Sequence, residues 1–220
     1  MTWRVSVILR WLLALAALLS SGVLHAEFLV RVDSQGALEG AVVTARKLGG
    51  STGGPAPPTA VQMLQANRQF DPFILPVPVG VPVEFPNRDD TAHHVYSFSP
   101  IGSFELPLYR GNASRPVIFD KPGVVPLGCN IHDWMIGYLY VVDTPWYAQL
   151  AHNSARFEDL PAGTWEIRIW HPAIDHLPTP AWQVTVSGAG QSETLSLDFP
   201  FATVTQPDAP RERFDERGDY

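Results

Sequence analysis

One cysteine, Cys129, stands among 220 residues, so no disulfide can close within the chain. Its thiol is then an inert buried group, a link to another molecule, or a reactive or metal-bound sulfur. Charge is sparse as well: 17% of residues are Asp, Glu, Lys or Arg, and the formal net charge is −7. An acidic chain with no basic stripe interleaved with aromatics does not suit nucleic acid and suits a basic protein surface better. Common enzyme signatures are missing too. There is no GxSxG, no glycine-rich phosphate loop and no HExxH, which removes the hydrolase, nucleotide-binding and zinc-protease chemistries those patterns carry.

No stretch in the body of the chain keeps the apolar period of a helix. Gly 17 and Pro 21, with many Val, Phe, Tyr and Trp, favour short strands joined by turns. The expected fold is all-β, with length enough for one or two small cores. The long apolar run, Trp11 to Leu19, follows Arg4 and Arg10 and precedes a small-residue cleavage pattern at Leu24-His25-Ala26. Residues 1–26 therefore read as a secretory signal peptide and the remainder as a periplasmic protein. An uncleaved anchor is the rival, although the run is short for a membrane span.

Alternating residues predict strands at Phe28 to Val32 and Ala41 to Ala45, joined as a hairpin through Ser34 to Ala37. A glycine- and proline-rich loop follows at Gly49 to Pro58. Phe70 to Gly80 reads as an extended run whose prolines confine it to a sheet edge or bulge. Further strands with turns are expected at Phe98 to Tyr109 and Val117 to Gly123. After Pro145, clean alternation returns in Thr164 to Trp170, Trp182 to Val186 and Glu193 to Phe199. The expected organisation is a first unit at 27–143 with its core at 61–142, a small β module at 144–200 that the N-terminal hairpin could complete or that could pack on the first unit, and a charged disordered tail at 201–220.

Chemistry concentrates in Leu127-Gly-Cys-Asn-Ile-His-Asp-Trp-Met135. Cys129, His132 and Met135 offer a thiolate, an imidazole and a thioether in CxxHxxM spacing, a soft and borderline donor set that suits copper better than zinc or a hard cation. A second imidazole stands upstream in Asn87-Arg-Asp-Asp-Thr-Ala-His93-His94. Side chains alternate along a strand, so only one of His93 and His94 can face a common site. A Cys–His nucleophile is the competing use of Cys129 and His132, but the nearby Met135 and the upstream histidine fit a metal better. His152, His171 and His176 read as structural or exposed.

The succession of Asn87 to His93, Gly123 to Cys129, Cys129 to His132, His132 to Met135 and Met135 to Gly137 resembles the cupredoxins of the amicyanin and plastocyanin kind. The wording around His93-His94-Val-Tyr-Ser-Phe-Ser-Pro100 is also similar to exported cupredoxin-like proteins labelled methylamine utilization proteins. This resemblance covers residues 61–142 and implies a Greek-key β-sandwich. It further implies one type 1 copper ion held by His93, Cys129 and His132, with Met135 as a weak axial ligand. It favours His93 over His94 by spacing from Asn87, and leaves His94 pointing outward or supporting the ligands. It implies a non-enzymatic electron carrier whose partner is a redox protein, a dehydrogenase or a cytochrome c. Asn130-Ile131 departs from amicyanin, which has proline before its loop histidine. The motif Phe157 to Ile167 resembles carboxypeptidase regulatory-like modules, which are not themselves catalytic. Two other functions stay open from sequence: copper delivery by the same ligands, and an exported sandwich without metal that serves as a binding module.

Overall fold

The computed structural model describes residues 27–50, 53–112, 115–176, 180–188, 190–198 and 200–210. The expected signal peptide and residues 211–220 of the expected tail lie outside that range. In chain order the strands are β1 (Glu27–Ser34), β2 (Val42–Lys47), β3 (Val61–Gln62), β4 (Leu64–Ala66), β5 (Gln69–Asp71), β6 (Ile74–Pro78), β7 (Val83–Glu84) and β8 (His93–Ser97). They continue as β9 (Phe104–Tyr109), β10 (Gly123–Cys129), β11 (Ile136–Val142), β12 (Tyr147–Gln149), β13 (Ser154–Glu158), β14 (Gly163–Trp170), β15 (Ala181–Val186) and β16 (Gln191–Leu197). No helix occurs among the described residues. The all-β class expected from sequence is what the chain forms.

A five-stranded sheet in the order β6-β11-β10-β8-β9 forms one half, faced by the short pairs β3-β7 and β4-β5. Its inner surface follows from simple alternation. Val125, Leu127 and Cys129 of β10 are buried between more exposed neighbours, and His93, Val95 and Ser97 of β8 do the same. These residues close on Met63, Phe70, Phe85, Phe119, Met135 and Leu139. Each fully buried Val, Leu or Phe contributes about 1.5–3 kcal/mol relative to exposure, so this core is what fixes the strands that carry the candidate ligands. β6 takes the sheet edge, where Pro76 and Pro78 cost no interior ladder bond, as their presence predicts.

The other half pairs sheets β13-β1-β16 and β12-β2-β14-β15. It corrects the expected hairpin. β1 pairs with β13 and β16, whereas β2 pairs with β12 and β14, so the two strands lie in opposite sheets. The link between them is no tight turn, because Leu38 and Ala41 are buried in the core that both sheets enclose. Residues 27–47, counted with the first unit by sequence but also a candidate to complete the small module, lie in the C-terminal sandwich and supply the apolar partners that 144–200 alone would lack. Val117 to Gly123, expected as a strand, makes one isolated bridge at Val117 to Val83 before β10 begins. Val117 and Phe119 face the core there while Ile118 is exposed, so the segment seals the sandwich without joining the ladder.

Where the halves meet, Trp170 of β14 stacks on Tyr140 of β11 with ring centroids 4.8 Å apart and meets Tyr138 edge-on at 5.9 Å. Val42, Ile74 and Val142 complete this apolar seam. The described part of the expected tail, residues 201–210, is tied to the folded chain rather than loose. Phe201 and Val204 pack on the C-terminal core, and the chain then reaches back to β11 of the five-stranded sheet through Gln206 and to β5 through Pro207.

Candidate metal centre

β8 enters from a loop tied down by Asn87. The Asn87 side-chain amide donates to the carbonyls of Thr91 (2.8 Å) and Tyr109 (3.2 Å), while its oxygen accepts the Asp89 N–H (2.9 Å). Asn87 therefore shapes the turn and joins it to β9. The pleat then sends His93 inward and His94 outward. His93 is 0% exposed. His94 instead places its Nε2 2.8 Å from Glu105 Oε1 and its ring edge-on to Tyr96.

Cys129 ends β10 and the loop to β11 carries the other expected donors. The Asn130 N–H bonds to the His94 carbonyl, the Met135 N–H to the His132 carbonyl, and the Ile136 N–H to the Trp134 carbonyl, which folds the loop tightly. Cys129 Sγ lies 3.7 Å from His93 Nδ1 and 3.6 Å from His132 Nδ1. All three donor atoms fall within 4.8 Å of one another, the one such group among the described residues. Met135 is fully buried in the core cluster that includes Cys129. Trp134 lies against His132, with ring centroids 5.1 Å apart. His152 and His176 are exposed, and His171 is buried and hydrogen-bonded far along the chain.

These spacings suit a single ion. Metal–nitrogen bonds of about 2.0 Å and a metal–sulfur bond of about 2.3 Å at 120° separate sulfur from nitrogen by about 3.7 Å. A buried thiolate and two imidazoles, with a thioether on the same loop, form a donor set that favours copper over hard cations. The electrostatics agree. Burial pushes the Cys129 thiol up, but bonds from His93 and from the N–H groups of His94 and Ile131 outweigh it and hold the thiol below its ordinary range. The sulfur is thereby held toward the thiolate that metals bind.

Asp89 is the residue that sequence reading missed. Its Oδ2 lies 2.8 Å from His93 Nε2, so the ring is held with Nδ1 toward Cys129. The turn between β4 and β5 supports this carboxylate: Asn67 and Arg68, both at positive φ (56° and 57°), direct their N–H groups at Asp89 with distances of 2.7 and 2.9 Å. Burial acts to raise the Asp89 pKa, and the bonds from Arg68, His93 and Asn67 reverse that and lower it. For His93, burial works against the proton, while Cys129 and Asp89 outweigh it and raise the pKa. His132 is lowered by burial and by the nearby positive charges of His93 and Arg68. An acidic residue just before a candidate histidine was the available signal, but only the fold shows which of Asp89 and Asp90 reaches the ring.

No family model matches the chain, and no curated protein matches it. Among solved structures it is similar to an oxidised amicyanin variant, at 23% identity over 38% of this chain and 83% of that one, with a TM-score of 0.35. It is similar to the novel purple cupredoxin from Nitrosopumilus maritimus, at 23% identity over 38% of this chain and 99% of that one, with a TM-score of 0.33. A copper-containing nitrite reductase from Thermus scotoductus is 27% identical over 44% of this chain and 25% of its own, with a TM-score of 0.36.

Proposed function

We propose that the chain is a periplasmic type 1 copper protein that carries single electrons between redox proteins. The observation behind this reading is the close triangle of His93 Nδ1, Cys129 Sγ and His132 Nδ1, two of its residues buried and His132 at the edge, with Met135 on the same loop. A bound copper ion would supply reversible one-electron chemistry with little rearrangement of a rigid donor set. The protein's own part is to hold that set. β8 and the β10–β11 loop enter from a packed core, Asp89 fixes the His93 ring, and two N–H groups stabilise the sulfur.

Half-exposed His132 and exposed Ile131 bring the loop to the surface, so an electron can leave through the imidazole edge to a docked dehydrogenase or cytochrome c. A carrier needs no substrate cavity at its metal. The cavity of about 650 Å³ bounded by Pro55, Pro78, Asp120 and Tyr147 is lined by none of the proposed ligands. The methylamine association stands on sequence wording alone and adds nothing to the chemistry.

Addition of Cu(II) to the full chain, followed by visible and EPR spectroscopy, tests this reading. The expected result is one copper per chain, intense blue thiolate-to-copper absorption and a narrow copper hyperfine splitting. A colourless Cu(II) form overturns it, and rapid loss of Cu(I) to a weak chelator replaces it with copper delivery.

A further inference from the structure

The start of β11 has a backbone group that its own sheet leaves without a strand partner. Parallel β6 begins opposite Tyr138, pairing Ile74 with it, and the Tyr138 N–H bonds to the Phe73 carbonyl. Two residues earlier, Ile136 faces the same side by strand alternation, beyond the point where β6 starts. Its carbonyl is taken instead by the Gln206 side-chain amide, at 3.3 Å. Ile136 directly follows Met135 and stands opposite Gly128 in the ladder, one residue from Cys129.

Gln206 belongs to a segment anchored at both ends. Phe201 packs over Gly36, where a Cβ would come within 2.6 Å of the ring, and with Val204 it is bound to the C-terminal core. On the other side, the Gln69 side-chain amide donates to the Pro207 carbonyl at 2.9 Å. Gln69 opens β5, immediately after the Asn67-Arg68 turn that holds Asp89. β5 in turn packs on β11, with Phe70 against Gly137. Residues 201–207 thus strap the C-terminal sandwich to the two structures that frame the centre.

We infer that this strap is a positioning element of the metal centre, with Gln206 holding the backbone that carries Met135, a role that rests on the copper reading above. The C-terminal sandwich then serves to anchor the segment that completes the sheet beside the axial ligand. Gln206 is a positioning residue, acting on the centre through the Met135-Ile136 backbone.

Two full-length variants test it, Gln206→Ala and Gln206→Glu, the second keeping the shape but not the donor. In metal-free protein, loss of one neutral hydrogen bond should speed amide exchange at residues 135–138 by about fivefold, with the β14–β15 amides unchanged. In copper-loaded protein, both variants should shift the EPR rhombicity and the reduction potential. Unchanged exchange at residues 135–138 overturns the tie, and faster exchange with an unaltered spectrum and potential overturns the positioning role. Failure of the wild-type chain to bind copper overturns the copper reading and the positioning role with it, while the metal-free exchange still decides whether the tie exists.

Discussion

His93 Nε2 lies 2.8 Å from Asp89 Oδ2, and the same ring turns Nδ1 toward Cys129. A carboxylate on one ring nitrogen keeps the proton there and leaves the other lone pair for a metal. Removing it with Asp89→Ala should weaken copper binding by about 10–100-fold, the usual cost of losing such a partner. Asp89→Asn should cost less, because an amide oxygen still accepts from the ring N–H. Competition against a chelator of known affinity measures both, and an Asp89→Ala chain that binds as tightly as wild type would remove Asp89 from the site.

Copper should also stabilise the fold. His93 comes from β8 and the other donors from the end of β10 and the loop after it, so the full set exists only in the folded chain. At a free copper concentration a thousand times Kd, the gain is about 4 kcal/mol, or roughly 10 °C in Tm for a chain of this size. Cys129→Ser should abolish most of that gain while the metal-free variant still melts cooperatively. Calorimetry of both chains with and without copper gives the answer, and an equal rise in the two would place the metal elsewhere.

The candidate donors were easy to find in sequence because three of them fall within seven residues, Cys129 to Met135. Strand alternation says only that one of His93 and His94 faces inward; the spacing from Asn87 in the cupredoxin resemblance favoured His93, and the fold turns that ring in. The partner of His93 was not legible. Asp89 reaches the ring only because the Asn67-Arg68 turn and the Asn87 side chain bend residues 87–91 into place, and those contacts are spread over separate elements. The first hairpin failed for a similar reason. Alternation marks strands at β1 and β2, but it does not say which sheet each joins, and the burial of Leu38 and Ala41 between them sends the strands apart. The strap escaped notice because Phe201, Val204 and Gln206 are scattered in a polar run with no period, and only Gly36 and Ile136 give them seats.

Two glycines beside the centre should respond differently to a methyl group. At Gly137 a Cβ would lie 2.9 Å from the Cβ of Phe70, a fully buried residue whose Cβ cannot rotate away. At Gly128 it would meet Tyr96 Cζ at 2.7 Å and the hydroxyl at 2.8 Å, the far end of a half-buried ring that can swing outward. Gly137→Ala should therefore destabilise by about 1–3 kcal/mol and Gly128→Ala by less than about 1 kcal/mol. Urea unfolding of the metal-free chains measures both, and the reverse ranking would show that the Tyr96 ring is the more rigid neighbour.

The stability of the chain should fall as pH drops below neutrality, through a histidine in the C-terminal sandwich, outside the candidate metal centre. His171 is 1% exposed, and its Nδ1 accepts the Ala173 N–H at 3.1 Å. Burial lowers its pKa to about 4, against a weaker upward pull from the Glu39 carbonyl, whereas the unfolded chain titrates near the ordinary histidine value of 6.5. Between those values the unfolded state holds a proton that the folded state refuses, so unfolding gains from acid. The contribution is full above pH 6.5, is lost progressively down to pH 4, and changes no further below that. From pH 7 to pH 5 the loss is about 2 kcal/mol. His171→Asn, which keeps a polar side chain but does not titrate, should be less stable at pH 7 yet lose about 2 kcal/mol less over that interval. Urea unfolding of metal-free wild type and variant at both pH values isolates the effect, since every other group is common to the two chains. Parallel pH dependences would mean that His171 is protonated in the folded state and that its surroundings accommodate the charge.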